Sequence, residues 1–500
     1  MNRHLPPITL ALLLLCTQTT YGQQKTYDIR RYKAIGDGRT DNTHAIQKAI
    51  DDAAAHGGGI VLIPEGRFIT GVLEIHSHIT LQLAKNAFLL GSINRMDYGP
   101  GHALPLLKAQ GQTSITIQGQ GTIDGRGDSL LMDLYTRIKT GQIQDNEWQK
   151  PNPWGQVRPA EENRPKIIFF QHCDSLTIRG ITIKNALDWV QDYKSCSHMI
   201  IDSIKVESNT FWNNDGIDLV DCKHVTLTNS FFNADDDGIC LKSEDRRDSC
   251  DDIYIEHCTI RSSASAFKFG TASRGGFHHI TVRDLTIYDT YRSAIAIEAV
   301  DGGKLDAVDI RGVHAKNTGN AFFIRLGHRN KDSVYSTLKD IRIADVDVEI
   351  PVGKPDKGYP MEGPPLTYEH SIFPASIAGL PGHRIENVTL ENIHITYPGG
   401  GQTPTPQPAD ATHPANQPPI TANRPMTPAN QPMIPANQFP IPENASDYPE
   451  FSMFGDLPVW GLYLRHIDGV TLKNVQLSVS RPDSRPMTRA DDANGVLITP

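Results

Sequence analysis

Between residues 213 and 243 the chain gathers aspartates where they can act on one another. Asp215-Gly216-Ile217-Asp218-Leu219 is followed 22 residues later by Asp237-Gly238-Ile239-Cys240-Leu241, and Asp235 and Asp236 precede the second copy. Each copy enters a stretch with apolar residues two apart, the pattern of a short strand. If the interval is one structural repeat, Asp215 and Asp237 stack on adjacent strands, about 4.8 Å apart in backbone spacing. Like charges so close oppose each other's ionisation, so that one carboxyl keeps its proton while another is charged. General acid–base catalysis needs such a pair. A lone Asp-Gly is ordinary turn chemistry; two at repeat spacing, with further carboxyls beside one, read as a site.

What must position these residues is a stack of strands. From residue 76 a hexamer ending apolar–x–apolar recurs: HSHITL, QTSITI at 112, CDSLTI at 173, CSHMII at 196, CKHVTL at 222 and CDDIYI at 250. It continues as FHHITV at 277, LDAVDI at 305, LKDIRI at 338, IENVTL at 385 and IDGVTL at 467. From 173 to 338 the intervals are 23, 26, 28, 27, 28 and 33 residues. A period of this size marks a solenoid whose repeats bury their faces against their neighbours. Strands and turns, not helix pairs, make up the repeat, which predicts an all-β, single-domain parallel β-helix.

The same register accounts for the cysteines. Cys173, Cys196, Cys222 and Cys250 hold position one of the hexamer, later filled by Phe277, Leu305, Leu338, Ile385 and Ile467. Position one is therefore an inward apolar slot, which suits a free thiol; oxidation between adjacent coils is the alternative. A second strand in each coil aligns DGIDL, DGICL, SAFKF, SAIAI and NAFFI at 215, 237, 265, 293 and 320. With Ile217, Ile239 and Ile295 inside, alternation turns Asp218, Lys242, Lys268, Glu298 and Arg325 outward beside the aspartates. These are candidate substrate contacts, although Glu298 and Arg325 are equally read as a cross-coil ion pair.

Residues 1–22 read as a signal peptide: Arg3 and His4, an apolar run from Ile8 to Cys16, then a small-residue cleavage site. Export to the periplasm or beyond is expected. A helix with Ala45, Ile46, Ala49, Ile50 and Ala53 on one face, capped by Asp41 or Thr43, is suited to close the first coil. Residues 126–168 form an excursion holding Trp148 and Trp154, with Trp189 and Trp212 nearer the aspartates. Residues 398–449 are dominated by Pro, Gln, Asn and Thr, with PANQ three times, and are expected to be a disordered insert. A net charge of −9 without a basic stripe argues against nucleic acid. No stretch after the signal is long and apolar enough to span a membrane. Gly57-Gly58-Gly59 need not cradle phosphate, because no Gly-Lys-Ser/Thr follows them; no metal or cofactor is expected. The expected form is a monomer.

The opening AIGDGRTDNTHAIQKAI and GGGIVLIPEGRF resemble the start of the pectin-degrading β-helix enzymes, and NNDGIDL with DDDGICLKS resembles the paired aspartate motifs of glycoside hydrolase family 28. That resemblance implies a right-handed coil and inverting hydrolysis of α-linked galacturonide bonds in pectic polysaccharide. It implies Asp236 as general acid, Asp215 and Asp237 as the groups that hold and deprotonate water, and Asn213 as a substrate contact. Polygalacturonases carry His where this chain has Ser265, and Arg and Lys where it has Ala296 and Glu298. Rhamnogalacturonan hydrolases, which also lack them, resemble it better. Inverting carboxyls usually stand ~6.5–9.5 Å apart, more than one strand spacing. A polysaccharide lyase using Lys242, Lys268 or Arg325 as base, and a non-catalytic carbohydrate-binding β-helix, remain alternatives.

Overall fold

The computed structural model describes residues 25–152, 155–359, 373–401 and 441–499. The expected signal peptide, Trp154 and most of the Pro-rich insert lie outside them.

The described chain is one right-handed parallel β-helix. Every pairing between its strands is parallel, and strands in the middle of the stack bond to their counterparts one coil earlier and one coil later. The hexamers stack as read. Position four runs Leu176, Met199, Val225, Ile253, Ile280 and Val308 in register. Position one runs Cys250, Phe277, Leu305, Leu338, Ile385 and Ile467. Between these inward positions the backbone turns the corner at position three, where Ser175, His198, His224, Asp252 and His279 take left-handed φ values of 58, 51, 55, 56 and 52°. Short polar side chains and His tolerate that conformation better than β-branched ones.

Cys173, Cys196, Cys222 and Cys250 are buried and unpaired as disulfides. Parallel coils carry three of these thiols toward a carbonyl of the preceding coil, Cys196 donating to Phe170 O at 3.3 Å, Cys222 to Tyr193 O at 3.1 Å and Cys250 to Leu219 O at 3.2 Å, whereas Cys173 donates to Gln171 O at 3.3 Å.

Helix α1 (Thr43–Ala55) buries Ile46, Ala49, Ile50 and Ala53 against the first coils. Its N-cap is Asn42, not a neighbour, and Asn42 makes no cap bond because its Oδ1 accepts Ile35 N–H at 2.7 Å. Asp41 instead accepts Thr43 N–H at 2.9 Å. The excursion after residue 126 contains a second helix, α2 (Gly127–Lys139), which burial of Leu130, Leu134 and Ile138 holds in place. Sequence reading missed it.

The insert is narrower than its composition suggested. Strand Ile385–Gly399 runs into its start, and Ile441–Trp460 packs on the solenoid through Ile441, Phe451, Phe454, Leu457 and Val459. Ile441 lies within the expected insert, and the apolar residues just after residue 449 bury surface with it on the solenoid.

Candidate active site

Strands Ile217–Val220, Ile239–Ser243 and Phe267–Ser273 lie on consecutive coils. Their outward column reads Asp218, Cys240, Lys268 and Ala296 in register. Lys242 does not continue into Gly270 in even register, since a bulge pairs Ser243 with Ser273. Just before these strands, Gly216 N–H donates to Asp237 O at 2.9 Å and Gly238 N–H to Ser265 O at 2.9 Å. Asp215, Asp237 and Ser265 therefore stack, and carboxylate oxygens of Asp215 and Asp237 come within 4.8 Å.

Each stacked aspartate has its own lysine. Lys242 Nζ donates to Asp215 Oδ2 at 2.9 Å and also bonds Asp218. Lys268 Nζ donates to Asp237 Oδ2 at 2.9 Å, while Asp237 Oδ1 accepts Ser265 N–H at 3.0 Å. No lysine among the described residues bonds Asp236. Asp236 is half-buried, its Oδ1 accepting Asp237 N–H at 3.0 Å and its Oδ2 facing Asn213 Nδ2 at 3.4 Å. Asn213 is anchored from behind by Arg158 and by Arg164 at 2.8 Å.

This arrangement separates the carboxyls electrostatically. Burial, reinforced by the charges of Asp215 and Asp237, pushes Asp236 up to about 7. Burial also acts on Asp237, but Lys268, Lys242 and Arg292 outweigh it and hold that carboxyl below the ordinary value. Asp215 is raised by burial against the opposition of Lys242. The lysines are held protonated: burial disfavours their charge, and the facing carboxylates more than restore it. At neutral pH the site thus holds an ionised Asp237 beside an Asp236 poised to give a proton. Asp215 Oδ1, buried and without a hydrogen-bond partner among the described residues, is an acceptor facing the same cluster.

The family profile of glycosyl hydrolases family 28 matches residues 61–354, more than half the chain. The chain belongs to glycosyl hydrolases family 28. A second profile, rhamnogalacturonase A/epimerase, pectate lyase-like, matches residues 27–89. Among curated relatives, the exo-poly-alpha-D-galacturonosidase of Dickeya chrysanthemi is 29% identical over 330 residues, 57% of this chain and 54% of that one. A probable polygalacturonase of Vitis vinifera is 24% identical, covering 59% of this chain and 61% of its own. The chain thus spans a little over half the length of these relatives. The family 28 exopolygalacturonase of Yersinia enterocolitica shares the fold, with TM-score 0.61 at 15% identity over 95% of this chain and 78% of that one.

As a family 28 glycoside hydrolase, the chain departs from its sequence reading at several groove residues. Asp218 is fully buried beneath Lys242, and Trp189 covers that lysine at 4.2 Å. Lys242 and Lys268 are committed to carboxylates. Glu298 faces Lys268 at 3.9 Å and accepts from Thr271 Oγ1 at 3.1 Å, and burial pushes it up to about 7. Arg325 does not reach the groove or pair with Glu298. Its guanidinium donates to Gly379 O at 3.1 Å and to the carbonyls of Glu443 and Asn444. Long side chains at outward positions go to the nearest acceptors, and a chain segment laid over that face supplies them.

Sequence reading passed over four residues at the site. Arg292 acts on Asp236 and Asp237 and faces Glu450 at 3.6 Å. It precedes Ser293 as Asp236 precedes Asp237, so the register already contained it. Asp188, pushed up to about 7 by burial against the pull of Arg164, lies 3.6 Å from Arg164. Arg158 and Tyr448 come from distant segments, and no local pattern marks either. Trp148 packs beside Tyr135 at 6.1 Å and Trp212 beside Phe211 at 5.2 Å, as ordinary packing residues.

Proposed function

We propose that this protein is an exported hydrolase of pectic polysaccharide that cleaves α-linked galacturonide bonds with inversion, acting as a monomer. The observation that carries the reading is the geometry of the aspartate cluster: Asp215 and Asp237 stack within 4.8 Å and each is bonded at 2.9 Å by a buried lysine, while half-buried Asp236 beside them is met by Asn213 and a backbone N–H. Half-buried Asp236 gives its proton to the glycosidic oxygen as the bond to the anomeric carbon breaks. Asp237, with Asp215, accepts a proton from the water that attacks that carbon from the opposite side. Lys268 and Lys242 position these carboxylates. Asn213, fixed by two arginines, orients Asp236.

A lyase would need a neutral base. Lys242 and Lys268 are both held protonated by buried carboxylates, which favours hydrolysis. Rhamnogalacturonan-type substrates suit the site better than plain polygalacturonate. Ser265 stands in place of a histidine, and Ala296 and Glu298 in place of the two cations that the resemblance to polygalacturonases would supply for uronate binding. Export rests on the character of residues 1–22.

Incubation with polygalacturonate, xylogalacturonan and rhamnogalacturonan fractions tests the reading. Saturated products whose new reducing end first appears inverted are expected, with rhamnogalacturonan turned over fastest. Near-ultraviolet absorbance from an unsaturated uronide would identify a lyase instead.

A further inference from the structure

The outward column that carries Asp218 can be followed along the solenoid, and its two directions differ. Toward the N-terminus it continues through Asp192, Phe169, Lys108 and Glu74. Exposure grows along it: Asp192 is buried, Phe169 and Lys108 are half-buried, and Glu74 is exposed. Toward the C-terminus it continues through Lys268, Ala296, Phe323, Ser376 and Tyr463. None of these five exceeds 2% exposure, although all face out of the coil.

The cover is the segment Ile441–Trp460. Phe451, Phe454 and Leu457 pack with Phe323 and Tyr463 into a second apolar cluster on the outer face. Two buried arginines tie the segment down, Arg325 to the carbonyls of Glu443 and Asn444, and Arg465 to Ile441 O at 3.0 Å. Its leading edge stands at the catalytic cluster. Lys268 Nζ, the partner of Asp237, also donates to Tyr448 Oη at 3.1 Å, and Glu450 faces Arg292. From the Asp218 coil to the Lys268 coil is two strand spacings, about 10 Å. Among the described residues the column is therefore increasingly exposed past Phe169 and Lys108 and covered just beyond the aspartates.

We propose that the groove is blind at Tyr448, so that the enzyme attacks its polymer from one end and seats the terminal sugar against that ring. The proposal rests on the hydrolase reading and specifies how the same site is used. Tyr448 is then a specificity-determining wall, and Lys268 couples it to the base.

The test uses three forms of the pectic oligosaccharide that is turned over fastest: unmodified, tagged at the reducing end, and lyase-generated with an unsaturated non-reducing end. The full chain should release one small saccharide from the first time point with little loss of polymer viscosity. One of the two end modifications, and only one, should slow turnover at least tenfold. Tyr448→Ala enlarges the closed end, and the disfavoured substrate should regain about tenfold, the scale of a pocket contact. Tyr448→Phe keeps the ring and should retain the discrimination. A ladder of product lengths with equal rates on both end-modified forms overturns the blind groove while leaving hydrolysis intact. No turnover of any pectic fraction overturns both.

Discussion

Lys268 offers the sharpest test of how the site works. Its ammonium lies 2.9 Å from Asp237 Oδ2, and both side chains are buried. Lys268→Met keeps most of the volume and removes the charge. Removing one partner of a buried pair costs about 3–5 kcal/mol, because the other charge is left uncompensated. Here the molecule can avoid that cost by protonating Asp237, which disables the base. Tenfold corresponds to about 1.4 kcal/mol, so the full penalty is roughly 10² to 4 × 10³ in the active fraction. Lys242 and Arg292 still act on Asp237, which favours the lower end, about 10² at pH 5. The assay is kcat and KM from pH 4 to 9 on the preferred pectic fraction, with a thermal melt to confirm folding. On the proposed mechanism, the wild-type enzyme works with Asp236 protonated and Asp237 ionised. Its activity should fall about tenfold per pH unit above about 7, as Asp236 loses its proton, and on the acid side only below the usual carboxylate range. In Lys268→Met the acid limb should move up toward the alkaline one, with KM nearly unchanged. Lys268→Arg should recover much of the loss. A variant with the wild-type acid limb and kcat, and an effect confined to KM, would refute the reasoning and make Lys268 a substrate contact.

Three further outcomes are expected. Asp236→Asn should lower kcat by roughly 10² to 10⁴ with little change in substrate affinity, measured by turnover and by calorimetric binding, because the acid acts on the transition state. Arg325→Ala should lower the melting temperature and leave KM for short substrates nearly unaltered, since its donors go to backbone carbonyls; a KM effect without loss of stability would return it to the groove. Asp235 is pushed up to about 9, chiefly by burial. Its folded value lies above its unfolded one, so its contribution to stability is complete below the ordinary carboxylate range and is lost as pH rises toward 9. Asp235→Asn should therefore flatten the decline in melting temperature between pH 5 and 9, and an unchanged slope would count against the assignment.

The coil was legible because a solenoid repeats its requirements. Each turn presents the same inward slots to its neighbours, so Cys250, Phe277 and Leu305 recur at one position and declare the register without any long-range information. The stacking of Asp215 on Asp237 follows from that register, and so does the place of Arg292. What the tertiary structure decided was which charge meets which. Lys242 and Lys268 occupy outward positions, where the sequence marks only that they leave the core; their carboxylate partners depend on side-chain reach across neighbouring coils. The burial of those outward positions comes from residues far along the chain, as in the bond between Lys268 and Tyr448, 180 residues apart. A segment that reads as the tail of a Pro-rich insert supplies that cover, because its few aromatic residues find an apolar patch that exists only once Phe323 and Tyr463 are stacked on the same face. The sequence by itself determined the coil and the aspartate cluster, through contacts one repeat apart. The proton affinities of those aspartates, and the closed end of the groove beside them, depend on burial and on charges brought in from distant coils, and only the folded chain brings these together.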